Sequence, residues 1–441
     1  MTRRSLAASA AAWGGAVALI VVSVAWGRAY QRETPQIFLG AAPLVGRDFR
    51  DGWDWRFGWA LVAAAGVGTV LVASIVSGWW WRARLRWVVA ASSTGSGAFG
   101  LFLALTDGAG GVLYGAVHRT EYLANLASAP PADEFLRTFV ERIDDYSVHV
   151  RGHPPGFVMV LKVLDGVGLG GGWPAASLSV AATVVVPAAV LVSVWAVVDA
   201  SWVRRVAPLL IVPPYLLWMV TSADAVYTAV GACGVAAIAV ALRGGWPALV
   251  GGAVGGTFLA SLMFLTYGGA TFALVPIPMV IVAWRAGASR TARTVVAVGL
   301  AATAVTVGFA VVGFWWFEGA AETREQYWAG SAQFRTWTYF GLANIAVALI
   351  ALGPATFAGL LALRDRRVWL LVGGGLLAMI AAHVSQYTRG EVERIWLLFY
   401  PWIAVAGGAA ITAPTRLRSA ALVGAQAAGA IALQAALVSK W

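Results

Sequence analysis

PPGFVMVLKVLDGVGLG, residues 154–170, is the stretch on which the topology of this chain turns. It is apolar enough to suggest a membrane crossing, yet it is short, opens with Pro154 and Pro155, and carries Lys162 and Asp165. A hydrocarbon core about 30 Å thick needs about twenty apolar helical residues. A shorter amphipathic segment lies at the interface instead. We therefore read 154–170 as a surface helix. The runs around it that are long enough to cross lie near 8–26, 57–80, 88–106, 176–199, 206–221, 225–242, 246–265, 268–284, 294–316, 341–363, 368–385, 396–413 and 418–438, thirteen in all.

The distribution of charge supports that reading. With the N-terminus inside, the inner breaks hold Arg3, Arg4, Arg82, Arg84, Arg86, Arg204, Arg205, Arg243, Arg285, Arg290, Arg293, Arg364, Arg366, Arg367, Arg416 and Arg418, against only Asp199 and Asp365. Such a bias is the positive-inside pattern. Counting 154–170 as a crossing would carry Arg204 and Arg205 outside and invert every later loop.

Composition agrees. Of 441 residues, 60% are hydrophobic and only 12% charged, where an ordinary soluble domain has about a quarter charged. The expected fold is an all-α polytopic membrane protein of about thirteen transmembrane helices, with no soluble domain of its own. No dyad alternation speaks for a strand barrel. The net charge of +11 comes from arginines in short breaks, without the basic stripe and interleaved aromatics of a nucleic-acid binder. Thr2-Arg3-Arg4 before an apolar run resembles a signal sequence, read here as an uncleaved first helix. Cys233, the single cysteine, reads as a small core residue.

Three outer loops are substantial: 27–56, 107–153 with the surface helix beyond it, and 317–340. Polar residues concentrate in the second. Its stretch Glu121–Gly156, EYLANLASAPPADEFLRTFVERIDDYSVHVRGHPPG, has Glu121, Asp133, Glu134, Glu141, Asp144, Asp145, His149 and His153, and His118 lies just before it. Histidine and carboxylates are ligands for divalent ions. The two prolines after His153 interrupt a helical pairing with His149, so no metal ligands are assigned. A tight catalytic metal is the less favoured reading of this set, and a weakly held divalent cation assisting a phosphate the more favoured one.

Asp224, in TSADAVY, ends a span at the outer face, where a carboxylate is either interfacial or functional. QYTRGEVERIWLLFYP, residues 386–401, carries Arg389, Glu391, Glu393 and Arg394. Arginine forks suit phosphate oxygens, and the competing reading is an Arg–Glu surface network. For Glu318, Glu322, Arg324, Glu325 and Arg335 in the 317–340 loop, solvated charge is the expectation. Many of the 23 tryptophans fall at span ends as interface anchors. Tyr122, Tyr146, Trp328 and Tyr387 are candidates to stack on a sugar. Asp48, Asp51 and Asp54 in the first outer loop form a rival acidic group.

Glu121-Tyr122 followed by His153-Pro154-Pro155-Gly156 and an apolar surface helix resembles the first outer loop of the GT-C glycosyltransferases, closest in pattern to the protein O-mannosyltransferase and lipid A aminoarabinose transferase group. The resemblance implies a core over 88–413 with an active-site loop at 107–174, an extra helix pair at 1–87 and a C-terminal helix at 414–441. It implies a hexosyl or pentosyl transferase that takes its sugar from a polyprenyl-phosphate donor. The acceptor it implies is a glycan, lipid or protein of the cell envelope, with the reaction at the outer face of the cytoplasmic membrane. Asp224 and Arg394 look like the family's later Asp and its lipid-phosphate Arg. Thr120 stands where the family commonly has Asp, so Glu121, Asp144 and Asp145 all stay candidates for the base. Tyr122, His149, His153 and Arg389 are the accompanying candidates for holding substrate or phosphate. The competing class is a transporter or lipid flippase, which places its binding residues near the midplane in broken helices.

Overall fold

The computed structural model describes residues 3–37, 39 and 55–436. Asp48, Asp51 and Asp54 lie outside the described residues. Among the described residues there are fourteen helices of ten or more residues and no strand: α1 Arg3–Glu33, α2 Trp59–Val76, α3 Leu85–Ala104, α4 Gly108–Val117, α5 Gly156–Gly166, α6 Gly172–Val197, α7 Asp224–Ala241, α8 Pro247–Leu265, α9 Ile277–Ala286, α10 Ala288–Val311, α11 Trp316–Ala329, α12 Trp337–Ala362, α13 Val368–Val384 and α14 Arg416–Ala436. Ten helical stretches are long and apolar enough to cross a membrane, and α13 is an apolar helix just short of that length. The chain is an all-α polytopic membrane protein.

The two remaining expected spans, 206–221 and 396–413, are not continuous helices. The first breaks into Ala200–Val206, Ala207–Leu210 and Leu216–Met219 around Pro208, Pro213 and Pro214. The second breaks into Trp396–Leu398, Tyr400–Ala404 and Val405–Ala410. Proline removes an amide donor and crowds the preceding turn. At membrane depth an irregular backbone is tolerated only where protein surrounds it. Both segments meet that condition, with Tyr215, Trp218, Tyr400 and Trp402 all at most 2% exposed. The amide of Tyr215 donates to the carbonyl of Ala351 at 2.9 Å. That carbonyl lies just before a kink in α12, where Gly353 takes a left-handed φ of 75° ahead of Pro354. Beyond the kink, the amide of Ala355 finds Gln426 Oε1 of α14 at 3.0 Å. The 206–221 break and the α12 kink are thus each closed by a partner on another element.

The charged turns separate to the two ends of the bundle. At one end Arg204 donates to the carbonyls of Trp80 and Ala83 at 2.9 and 2.6 Å, Arg367 pairs with Asp199 at 3.1 Å, and Trp202 Nε1 reaches Asp365 at 3.1 Å. Asp199 also caps the following helix through the amides of Ser201 and Trp202. The opposite end carries the loop 118–153, α11 and the turn 385–391. There α5 is eleven residues long, about 16 Å and too short to cross. It buries Phe157, Val158 and Leu161 and leaves Val163 65% exposed, as a surface helix would.

Candidate functional site

The site grows from two turns pinned together. The Ser147 amide donates to Asn125 Oδ1 at 2.6 Å, the Ser147 hydroxyl to the Glu121 carbonyl at 3.3 Å, and the His149 amide to the Thr120 carbonyl at 3.3 Å. These bonds set the turn Val148–Arg151 on the turn Tyr122–Asn125. As a result His149 Nδ1 lies 2.7 Å from Glu121 Oε1, with the two residues only 8% and 5% exposed.

Four residues later, His153 Nδ1 lies 2.8 Å from the His149 carbonyl. A carbonyl only accepts, so His153 carries its proton on Nδ1 and its Nε2 is the basic nitrogen. Burial lowers His153 to about 4, with Arg394 and His149 adding to the effect and Asp224 opposing it. His153 is therefore neutral at ordinary pH. Pro154 and Pro155 then open α5, at positions where a missing amide leaves no helix bond unmade.

Asp224 is the first residue of α7. Its amide donates to Ser222 Oγ at 3.0 Å and its carboxylate accepts from that hydroxyl at 2.7 Å. A carboxylate at a helix N-terminus is favoured by the helix dipole. Arg394 Nη1 meets the same carboxylate at 2.8 Å, across 170 residues of chain. Arg394 Nη2 reaches Glu391 Oε2 at 3.4 Å, and Arg335 Nη2 reaches Glu391 Oε1 at 3.0 Å. The outcome is a buried row of alternating charge: Arg335, Glu391, Arg394, Asp224. Burial alone would raise Glu391, but the guanidiniums of Arg335 and Arg394 hold it below the usual carboxylate range. Burial would likewise lower Arg394, yet Asp224 and Glu391 lift it above its ordinary value.

Between the two halves sit two tyrosines. The Tyr227 hydroxyl donates to that of Tyr122 at 2.8 Å. The His153 ring lies 5.8 Å from Tyr122 and 5.7 Å from Tyr227, centroid to centroid. Burial, reinforced by Asp224, pushes the Tyr122 phenol well above its normal value. Beside Tyr122 a narrow apolar crevice runs between α4 and α6, lined by Val112, Gly115, Phe157, Ala176 and Val220 among others.

Of the residues singled out in the sequence, Glu121, Tyr122, His149, His153, Asp224 and Arg394 come together in one place. Asp144 and Asp145 do not. Both are exposed, Asp144 against Gln326 at 2.9 Å and Asp145 against Arg142 at 3.2 Å. Arg389 lies at the margin, exchanging bonds with Arg335: each donates to the other's backbone carbonyl, at 2.6 and 2.7 Å. Tyr146 packs into an aromatic core with Phe135 and Phe139. Arg335, expected in solvent, is only 4% exposed, and the Arg–Glu network of the 386–401 segment is buried instead of lying at the surface. Ser222 and Tyr227 join the site without having been singled out. Their signal was local, since Tyr227 lies one helical turn from Asp224. Among the described residues no group of three His, Cys, Asp or Glu side chains is placed to hold a metal ion.

The chain matches no family model, no curated protein and no solved structure.

Proposed function

We propose that this protein is a glycosyltransferase that moves a sugar from a polyprenyl-phosphate donor to a cell-envelope acceptor at the outer face of the cytoplasmic membrane. The observation that carries the reading is the single buried constellation in which the Glu121–His149 pair faces the Asp224–Arg394 pair, at the end of the bundle opposite the arginine-rich turns. By the positive-inside rule that opposite end is extracytoplasmic. In this reading the acceptor hydroxyl oxygen attacks the anomeric carbon while the bond from that carbon to the phosphate oxygen breaks. Glu121 takes the hydroxyl proton, and the departing polyprenyl phosphate keeps the bonding electrons. Arg394 faces the charge that builds on the phosphate, the kind of electrostatic contribution that dominates many enzymes. The donor phosphate displaces Glu391, the longer of the two carboxylate contacts described for Arg394, while Asp224 keeps the guanidinium aimed. The isoprenoid tail stays in lipid.

A second reading, a transporter or lipid flippase, draws on the two broken buried segments, since such proteins bind substrate at discontinuous helices. Against it, the ionic residues gather at one end of the bundle and not along those segments.

The deciding experiment reconstitutes the protein in nanodiscs with radiolabelled polyprenyl-phosphate sugars and candidate acceptors. Glu121→Gln is expected to slow transfer by about 10²–10⁴-fold, the usual contribution of a positioned base. No turnover with any donor, together with solute uptake into vesicles, would sink the transferase and favour the transporter.

A further inference from the structure

We propose that Trp328, Tyr387, Gln386 and Arg389 form a subsite for a neutral oligosaccharide, positioned to hold the acceptor chain beside the reaction centre. The acceptor role rests on the transferase reading above; the saccharide binding does not.

The subsite joins two distant segments, the end of α11 and the turn 385–391. Ring centroids of Tyr327 and Trp328 are 5.2 Å apart, those of Tyr327 and Tyr387 5.8 Å, and those of Trp328 and Tyr387 6.3 Å with planes tilted by 60°. Tyr387 is 41% exposed although its ring belongs to this cluster. Here the rings are bound into one surface by polar contacts. The Tyr327 hydroxyl donates to the Gln386 carbonyl at 3.2 Å and accepts the Arg389 amide at 3.0 Å. The Arg389 guanidinium lies 4.7 Å over the Trp328 ring.

The backbone under this surface is strained. Gln386 and Glu391 hold φ at 65° and 61°, and they are the only non-glycine residues with positive φ among the described residues. Such strain persists only where the surroundings impose it, and it concentrates at binding and active sites. Here it brackets the exposed Tyr387.

The chemistry selects the ligand. A sugar ring has an apolar C–H face and a rim of hydroxyls, which fits tilted aromatic faces with a few polar groups beside them. The Arg389 guanidinium, bonded through its terminal nitrogens to the Arg335 carbonyl and to Gln386 Oε1, stiffens the platform. The platform and the buried charge row are joined through Arg335, which bonds the Arg389 carbonyl on one side and Glu391 on the other.

The test is saturation-transfer NMR on the whole protein in nanodiscs, with manno-, arabino- and gluco-trisaccharides as probes. At least one should receive saturation on its ring C–H protons. Trp328→Ala and Tyr387→Ala should each weaken its binding by about threefold to tenfold. Trp328→Phe and Tyr387→Phe should bind within about twofold of wild type, which separates loss of the ring from loss of the fold. Absence of binding by all three probes, or equal binding by the alanine variants, overturns the subsite while leaving the transferase reading standing. Trp328-dependent binding without any sugar transfer sustains the subsite and removes the transferase.

Discussion

Replacing Asp224 by Ala strands the Arg394 guanidinium in a place where both side chains are nearly sealed from solvent, 2% and 6% exposed. Removing one member of such a buried pair typically costs about 3–5 kcal/mol, because the other charge is left without compensation. Glu391, 3.4 Å from the second arm of the guanidinium, remains as a partner and pulls the value toward the lower end. Ser222 loses the acceptor for its hydroxyl, a loss of about 1 kcal/mol. We expect a destabilisation of about 3 kcal/mol for Asp224→Ala, and about half of that for Asp224→Asn, which keeps a carbonyl oxygen facing Arg394. The double variant Asp224→Ala/Arg394→Ala should be less destabilised than the sum of its singles by about 2 kcal/mol, the coupling expected of residues in one network. Denaturant unfolding of the detergent-solubilised protein, followed by tryptophan fluorescence, measures all four. A loss below about 1 kcal/mol for Asp224→Ala, or strict additivity in the double variant, would refute the buried pair.

The other predictions use the same unfolding assay. Gln426→Leu removes the partner of the Ala355 amide at the α12 kink and should destabilise the protein by about 1–3 kcal/mol, the penalty of an unpaired buried donor; an unchanged midpoint would mean the kink is closed in another way. A Cβ on Gly115 would sit 1.4 Å from the Thr221 carbonyl oxygen, which is backbone and cannot swing aside, so Gly115→Ala should push α4 off its seat and cost about 1–3 kcal/mol. His153 is lowered from 6.5 to about 4 in the folded protein. The unfolded chain therefore takes up a proton between those values while the folded one does not. Its contribution is present in full above pH 6.5 and is lost as pH falls toward 4. His153→Gln should flatten that part of the stability profile, with Asp224, Arg394 and His149 as the charged or titratable neighbours it leaves in place.

The helical spans were legible because lipid imposes a length and an apolar composition that a one-dimensional reading can count. The arginine bias separated the two ends of the bundle for the same reason. The broken segments 206–221 and 396–413 escaped, although Pro208, Pro213, Pro214 and Pro401 were in view. Their apolar composition is what a span requires, and only burial on every side makes a broken backbone tolerable there. Arg335 and Glu391 escaped differently. A charged residue in a polar turn reads as solvated, and nothing local reveals that Arg335 meets Glu391, the Arg389 carbonyl and the Ile37 carbonyl in the fold.

The sequence by itself determined an all-helical membrane bundle with its arginines at one end, a surface helix opening at His153-Pro154-Pro155, and candidates at Glu121, Asp224 and Arg394. Each follows from composition, spacing or charge along the chain. Only the tertiary structure decided which candidates come together. It set Glu121 on His149 and joined Asp224 to Arg394 across 170 residues, while leaving Asp144 and Asp145 on the outside. The reason is that a carboxylate's chemistry depends on what it is buried against, and those partners come from segments that only folding brings together.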